Sequence, residues 1–102
     1  MKKSQDPIKS LFVKTITEKL DLPHYRVFLF GSRVRNQQLT HRSDYDIGVE
    51  SSQKIPLSIL HELRENLEKI PILQKIDLVD LSRVSKEFKK TALQQKELLY
   101  EK

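Results

Sequence analysis

The sequence predicts a small α/β (α+β) fold in which helices pack on one mixed β-sheet. Three observations lead there: apolar residues at helical spacing in several stretches, short runs of branched and aromatic residues closed by breakers, and the alternation of the two along the chain. The chain has 102 residues, which suits one domain spanning residues 1–102 around one modest core. Hydrophobic residues make up 37% and charged residues 32%, the balance of a folded chain rather than a disordered one.

The elements follow in order. Asp6-Pro7 opens a first helix, with Asp as N-cap and Pro at the first helical position, and Ile8, Leu11, Phe12, Thr15, Ile16 and Leu20 form its inner stripe. Leu22-Pro23-His24 ends it, because Pro lacks the N–H and forces its predecessor to be extended. Tyr25 to Phe30 is dense in aromatic and branched residues and stops at Gly31, so it reads as a buried strand. A polar segment forming a short helix or turn leads to a second strand, Asp44 to Val49. Ile55-Pro56 opens a second long helix with Ile59, Leu60, Leu63, Leu67 and Ile70 along one face. Lys75 to Val79 is a third strand, and the chain from Ser82 or Ser85 to its end reads as a last helix carrying Val84, Phe88, Leu93, Leu98 and Leu99. On that last helix the alternating Lys and Glu residues make a solvated face.

Composition removes several function classes. No apolar run approaches the roughly 20 residues that cross a bilayer, and no apolar segment follows the basic start, so neither a membrane span nor a secretory signal is expected. Cysteine is absent, which excludes disulfides and thiolate metal sites and fits a cytoplasmic protein. The net charge of +5 would suit a triphosphate, an acidic partner or nucleic acid. The basic residues are scattered and not interleaved with aromatics, so direct nucleic-acid binding is not expected. His24, His41 and His61 have no zinc spacing and read as ordinary surface or packing residues, as do Tyr25, Tyr45 and Tyr100 for packing.

The chemistry concentrates in Phe30-Gly31-Ser32-Arg33-Val34-Arg35 and Ser43-Asp44-Tyr45-Asp46. Residues two apart on a strand share a face, so Asp44 and Asp46 present paired carboxylates. Like charges that close repel unless a cation lies between them, and a hard divalent cation such as magnesium relieves the penalty. Gly31 allows close backbone approach to an anion, the Ser32 hydroxyl adds a donor, and Arg33 and Arg35 can clamp phosphate oxygens. Asp77 is a third acid, in an apolar strand where acids are disfavoured. It is either a solvent-facing residue of an edge strand or the neighbour of Asp44 and Asp46, placed to ligate a metal and accept a proton. Asp80 competes for this role but faces the opposite way and lies near Ser82, which suits a turn or cap.

Taken together, Gly31-Ser32-Arg33-x-Arg35, Ser43-Asp44-x-Asp46 and Asp77 resemble the polymerase-beta-like nucleotidyltransferase superfamily, most of all its minimal nucleotidyltransferases. Each part is weak alone, the combination is specific, and the match covers nearly the whole chain. Val34 and Asn36 stand where such proteins commonly carry Ala and Gly; Asn tolerates the left-handed conformation that such a turn can need. The resemblance implies catalytic and metal-binding roles for Asp44, Asp46 and Asp77 with two Mg2+ ions, and ATP held by Gly31, Ser32, Arg33 and Arg35. In-line attack on the α-phosphorus would then expel pyrophosphate.

Larger members of the superfamily carry an additional helical domain for the acceptor, which a 102-residue chain has no room for. The resemblance therefore implies a separate acceptor: a small helical toxin of the HEPN type, neutralised when the nucleotidyltransferase antitoxin transfers AMP to one of its tyrosines. A homodimer or hetero-oligomer would fit the same logic. Two alternatives stay open at this point, a non-catalytic binding antitoxin and a nucleotidyltransferase acting on a small molecule such as an aminoglycoside.

Overall fold

The computed structural model describes residues 6–31 and 44–102. Along them run α1 (Pro7–Thr17), β1 (Arg26–Phe30), β2 (Tyr45–Glu50), α2 (Leu57–Glu68), β3 (Ile76–Asp80), α3 (Lys86–Gln94) and β4 (Lys96–Glu101). The strands form one mixed sheet in the order β3-β2-β1-β4. β1 is antiparallel to both of its neighbours, and β2 is parallel to β3. A parallel pair cannot be joined by a tight turn, so α2 carries the chain from β2 back to the start of β3.

Alternation along the strands sorts the side chains onto two faces. Val27, Leu29, Ile47, Val49 and Leu78 meet Phe12, Val13 and Ile16 of α1 and Leu60, Leu63 and Leu67 of α2 in the larger core. Phe28 and Phe30 point the other way and pack with Leu81 and with Ala92 of α3. Asp6 caps α1 as the sequence suggests, its carboxylate accepting the N–H groups of Ile8 and Lys9. The helix stops at Thr17, before the Leu22-Pro23 break, but Leu20 and Leu22 still reach the core. No helix of the described residues is long and apolar enough to cross a membrane.

The chain end corrects the expectation of a single closing helix. α3 stops at Gln94, Gln95 is extended (φ −131°, ψ 102°), and Lys96 to Glu101 form a strand on β1. Lys, Glu and Leu are good helix formers, so local propensity favours a helix here. Tertiary context overrides it, because β1 is buried along almost its whole length and would otherwise expose a row of unpaired backbone groups. Between Val27↔Tyr100 and Phe28↔Leu98 the register slips by one, leaving Leu99 as a bulge residue that drops into the α1–α2 core with no exposure. Lys9 of α1 reaches across to both carboxylate oxygens of Glu97, each at 2.9 Å.

Asp80 is the one buried charged residue among the described residues. Its carboxylate accepts the Ile55 N–H at 2.8 Å, the Ser82 N–H at 3.0 Å and the Ser82 hydroxyl at 2.6 Å, and it pairs with Arg83 at 3.2 Å. Arg83 in turn donates to the Ile55 carbonyl at 2.7 Å. This clasp ties the segment entering α2 to the end of β3 and so fixes the crossover.

Two stability measurements check these assignments. Truncating Leu99→Ala should cost about 2–5 kcal/mol in urea unfolding, the range for a fully buried leucine, whereas a loss below about 1 kcal/mol contradicts its place in the core. Asp80→Ala strands a buried N–H and a charged partner, so a loss on the order of 3 kcal/mol is expected; near-neutral behaviour contradicts the clasp.

Candidate active site

The parallel pairing of β2 with β3 sets Asp46 opposite Asp77. Both side chains therefore leave the sheet on the same face, the one that carries Phe28 and Phe30. On the other side of Asp46 lies Phe30, its antiparallel partner on β1. β1 ends there, and Gly31 turns the chain with φ +81°, a backbone conformation that L side chains rarely adopt. A Cβ on Gly31 would run into the Asp46 carboxylate, so the glycine backbone and that carboxylate are pressed together. Gly31 and Asp46, far apart in sequence, thus meet at one end of the sheet.

Asp44 precedes the first residue of β2 and is exposed; the strand begins at Tyr45, one residue later than the sequence suggests. Asp46 is half-buried. Asp77 is on the edge strand β3, its side chain 44% exposed, with the Lys75 ammonium 3.7 Å from one oxygen. Both readings of Asp77 thus describe part of its position, since it lies on an edge strand and also beside Asp46. Asp80 faces the α1–α2 core and is engaged within the fold, as its turn or cap reading anticipates. Ser32, Arg33 and Arg35, with Val34, Asn36 and Ser43, lie outside the described residues.

A cleft of about 660 Å³ runs along β3 and includes Asp46, Asp77, Phe30, Lys75 and Phe88 in its lining. Arg64 of α2 also lines it, donating to the outward carbonyl of Leu78 at 2.9 and 3.1 Å and so closing part of the β3 edge. Phe88 stands edge-on to Phe30 at a centroid distance of 6.1 Å and remains 44% exposed. Lys75 and Phe88 are site residues that the sequence pattern assigned only to strand and packing stripe. For Lys75 a signal was present, since a residue two before Asp77 on a strand must share its face. For Phe88 nothing in the sequence fixed which sheet face α3 would cover.

Whether these residues suit a magnesium ion turns on their chemistry. Among the described residues no three His, Cys, Asp or Glu side chains converge into a ready cage. Magnesium seldom uses one: it takes one or two carboxylates and completes its shell with water and substrate phosphates. Two hard carboxylates on adjacent strands, facing one cleft beside a glycine turn, meet that requirement, and no softer His or Cys donor is among the described residues that line it.

Comparison with known proteins supports the same reading of the fold. Residues 13–102 match the family model described as "Polymerase beta, Nucleotidyltransferase". The chain is 30% identical over 96 residues to a Haemophilus influenzae protein named probable protein adenylyltransferase MntA, covering 88% of this chain and 82% of that protein. Among solved structures, a toxin–antitoxin with AMP-PNP superposes with a TM-score of 0.72 at 22% identity, covering 90% of this chain and 72% of the other. A complex of tri-AMPylated Shewanella oneidensis HEPN toxin with MNT antitoxin also gives a TM-score of 0.72 at 22% identity, covering 95% of this chain and 72% of the other. At that identity the structures bear on fold alone, whereas the family match extends over most of the sequence. With its mixed sheet, its glycine turn and its paired carboxylates, the chain belongs to the polymerase beta nucleotidyltransferase family, and it is an enzyme of that class.

Proposed function

We propose that this protein is the nucleotidyltransferase antitoxin of a HEPN-type pair, transferring AMP from ATP to a tyrosine of its helical toxin partner. The observation that carries the chemistry is the juxtaposition of Asp46, Asp77 and Gly31 on one sheet face. The partner and the nucleotide are supported by the likeness to an MntA protein and to toxin–antitoxin complexes, one holding AMP-PNP and one a tri-AMPylated toxin. The single domain of residues 1–102 is the catalytic unit in this reading, and the acceptor comes from a second chain.

Asp44 and Asp46 would hold magnesium together with Asp77, and the ion when bound would offset the phosphate charge. The remaining work belongs to the chain itself. The Gly31 backbone, with no Cβ in the way, closes on Asp46 at the end of β1, and the Gly31 backbone together with Ser32, Arg33 and Arg35 would supply donors to the triphosphate oxygens. Asp77 accepts the proton of the acceptor hydroxyl as that oxygen attacks the α-phosphorus in line. The bond from the α-phosphorus to the bridging oxygen breaks, and pyrophosphate leaves with the electron pair. Lys75 beside Asp77 adds a positive charge where the anionic transition state develops.

Co-expression with a helical HEPN-type partner tests this directly. After incubation with ATP and magnesium, the partner should gain one or more AMP masses, and an Asp44→Asn/Asp46→Asn control should show none while still forming the complex. Mass gain in the control would overturn the roles given to Asp44 and Asp46, and no gain from any of the four nucleotides despite a stable complex would sink the catalytic account in favour of a binding antitoxin. Transfer to free aminoglycosides instead of the partner would point to small-molecule modification.

Two substitutions sharpen the roles. Asp77→Asn should lower the transfer rate by about 10²–10⁴-fold, the usual worth of a positioned proton acceptor, with the urea midpoint unchanged. Gly31→Ala should abolish transfer and cost about 1–3 kcal/mol, because the added methyl meets both a positive φ and the Asp46 carboxylate. A fully active Gly31→Ala protein contradicts the close approach.

A further inference from the structure

The cleft that holds the carboxylates continues past them around the outer edge of β3. There Ile76 and Leu78 of the strand line it together with Arg64 and Glu68 of α2 and with Ile70 and Ile72 beyond that helix. The mechanism above uses only its Asp46–Asp77 end. The chain entering β3 adds apolar surface to the groove, since Ile70 and Ile72 are half-buried and Leu73, next to Ile72, is 89% exposed.

Backbone parity defines what this edge offers. β3 is the outermost strand on its side of the sheet. At one end of the β2–β3 ladder the Tyr45 N–H donates to the Lys75 carbonyl, and at the other the Leu81 N–H donates to the Val49 carbonyl, both at 2.9 Å. Asp77 and Val79, in step with Lys75 and Leu81, therefore turn their backbone groups toward β2, and Ile76 and Leu78 turn theirs outward. The Leu78 carbonyl bears this out, because it accepts from Arg64 at the edge. The Ile76 N–H, the Ile76 carbonyl and the Leu78 N–H are directed into the groove and have no partner among the described residues. Such rungs, about 7 Å apart, match the backbone of an extended segment. A helix uses its own backbone groups internally, and a small molecule lacks the repeat.

An added strand sorts its side chains by the same parity. The residue level with Asp77 shares the face of Asp77 and Asp46, and its neighbours on either side face α2, as Ile76 and Leu78 do. We propose that the acceptor tyrosine arrives in an extended segment of the partner that adds to the edge of β3, with apolar residues flanking the tyrosine on the α2 side. The proposal rests on the nucleotidyltransferase reading of the carboxylate cleft and adds how the acceptor is held: backbone bonds to Ile76 and Leu78 set the register, and that register delivers the hydroxyl to Asp77.

Amide exchange and a proline substitution test it. The Asp44→Asn/Asp46→Asn chain leaves the tyrosine of a co-expressed HEPN-type partner unmodified. In that complex the Ile76 and Leu78 amides should exchange about ten-fold or more slowly than in the free chain, and those of Asp77 and Val79, already bonded to β2, should change less. Ile76→Pro removes the outward N–H at the first residue of β3 and leaves the ladder to β2 in place, so the KM for the partner should rise about ten-fold or more with ATP affinity unchanged. Ile76→Ala keeps the N–H while shortening the side chain, and should transfer near the wild-type rate. Unchanged exchange at Ile76 and Leu78 overturns the strand addition, as does a proline variant equal to the alanine variant; the exchange result decides if the proline variant does not fold. Both of those failures leave AMP transfer by the wild-type chain standing. Absence of that transfer refutes the nucleotidyltransferase reading itself, and the acceptor strand falls with it.

Discussion

Two carboxylates held side by side on neighbouring strands are an electrostatic cost that a sheet does not accept by chance, and the rest of this structure follows from how the cost is imposed. The parallel register of β2 and β3 makes Asp46 and Asp77 Cα partners, so neither can leave the shared face without breaking the ladder. That register is itself locked from the opposite face, where Ile47, Val49 and Leu78 are buried against α1 and α2. A slip of one residue would drive these apolar groups into water and the aspartates into the core. The hydrophobic face thus holds two like charges on one face of the sheet, an arrangement that a cation received by the cleft would favour.

Two acids three residues apart on β3 show how position decides role. Asp80 points into the core, is 3% exposed, and is saturated by Ile55, Ser82 and Arg83. Asp77 points the other way, is partly exposed, and has the mobile charge of Lys75 near it instead of a set of fixed donors. The first holds the crossover in place and the second faces the cleft. Gly31 completes the arrangement, since only a residue without a side chain lets the end of β1 close on Asp46.

Much of this was legible in the sequence because it rests on parity and on punctuation. The face of Asp46, the opposite orientation of Asp80, the stop at Gly31 and the cap at Asp6 all follow from local rules. What parity could not give is pairing. Nothing between Gly48 and Ile76 states that β3 lies beside β2 with Asp77 level with Asp46 rather than with Gly48. The last strand was hidden for a different reason. Lys96 to Glu101 has the composition of a helix, and only the unpaired edge of β1, a long-range demand, turns it into β4. With that change Leu98 and Leu99 leave the helical stripe, and α3 is shortened to the flank that carries Phe88 to the cleft.

The central claim is that Asp46 and Asp77 jointly form the cation and phosphate site of this nucleotidyltransferase. It is tested most directly by a crystal structure of the chain with a non-hydrolysable ATP analogue and Mn2+, read from anomalous scattering. The account predicts an anomalous peak bound by both carboxylates, with the triphosphate against the Gly31 backbone. Nucleotide bound with manganese elsewhere, and Asp77 still turned toward Lys75, would contradict it.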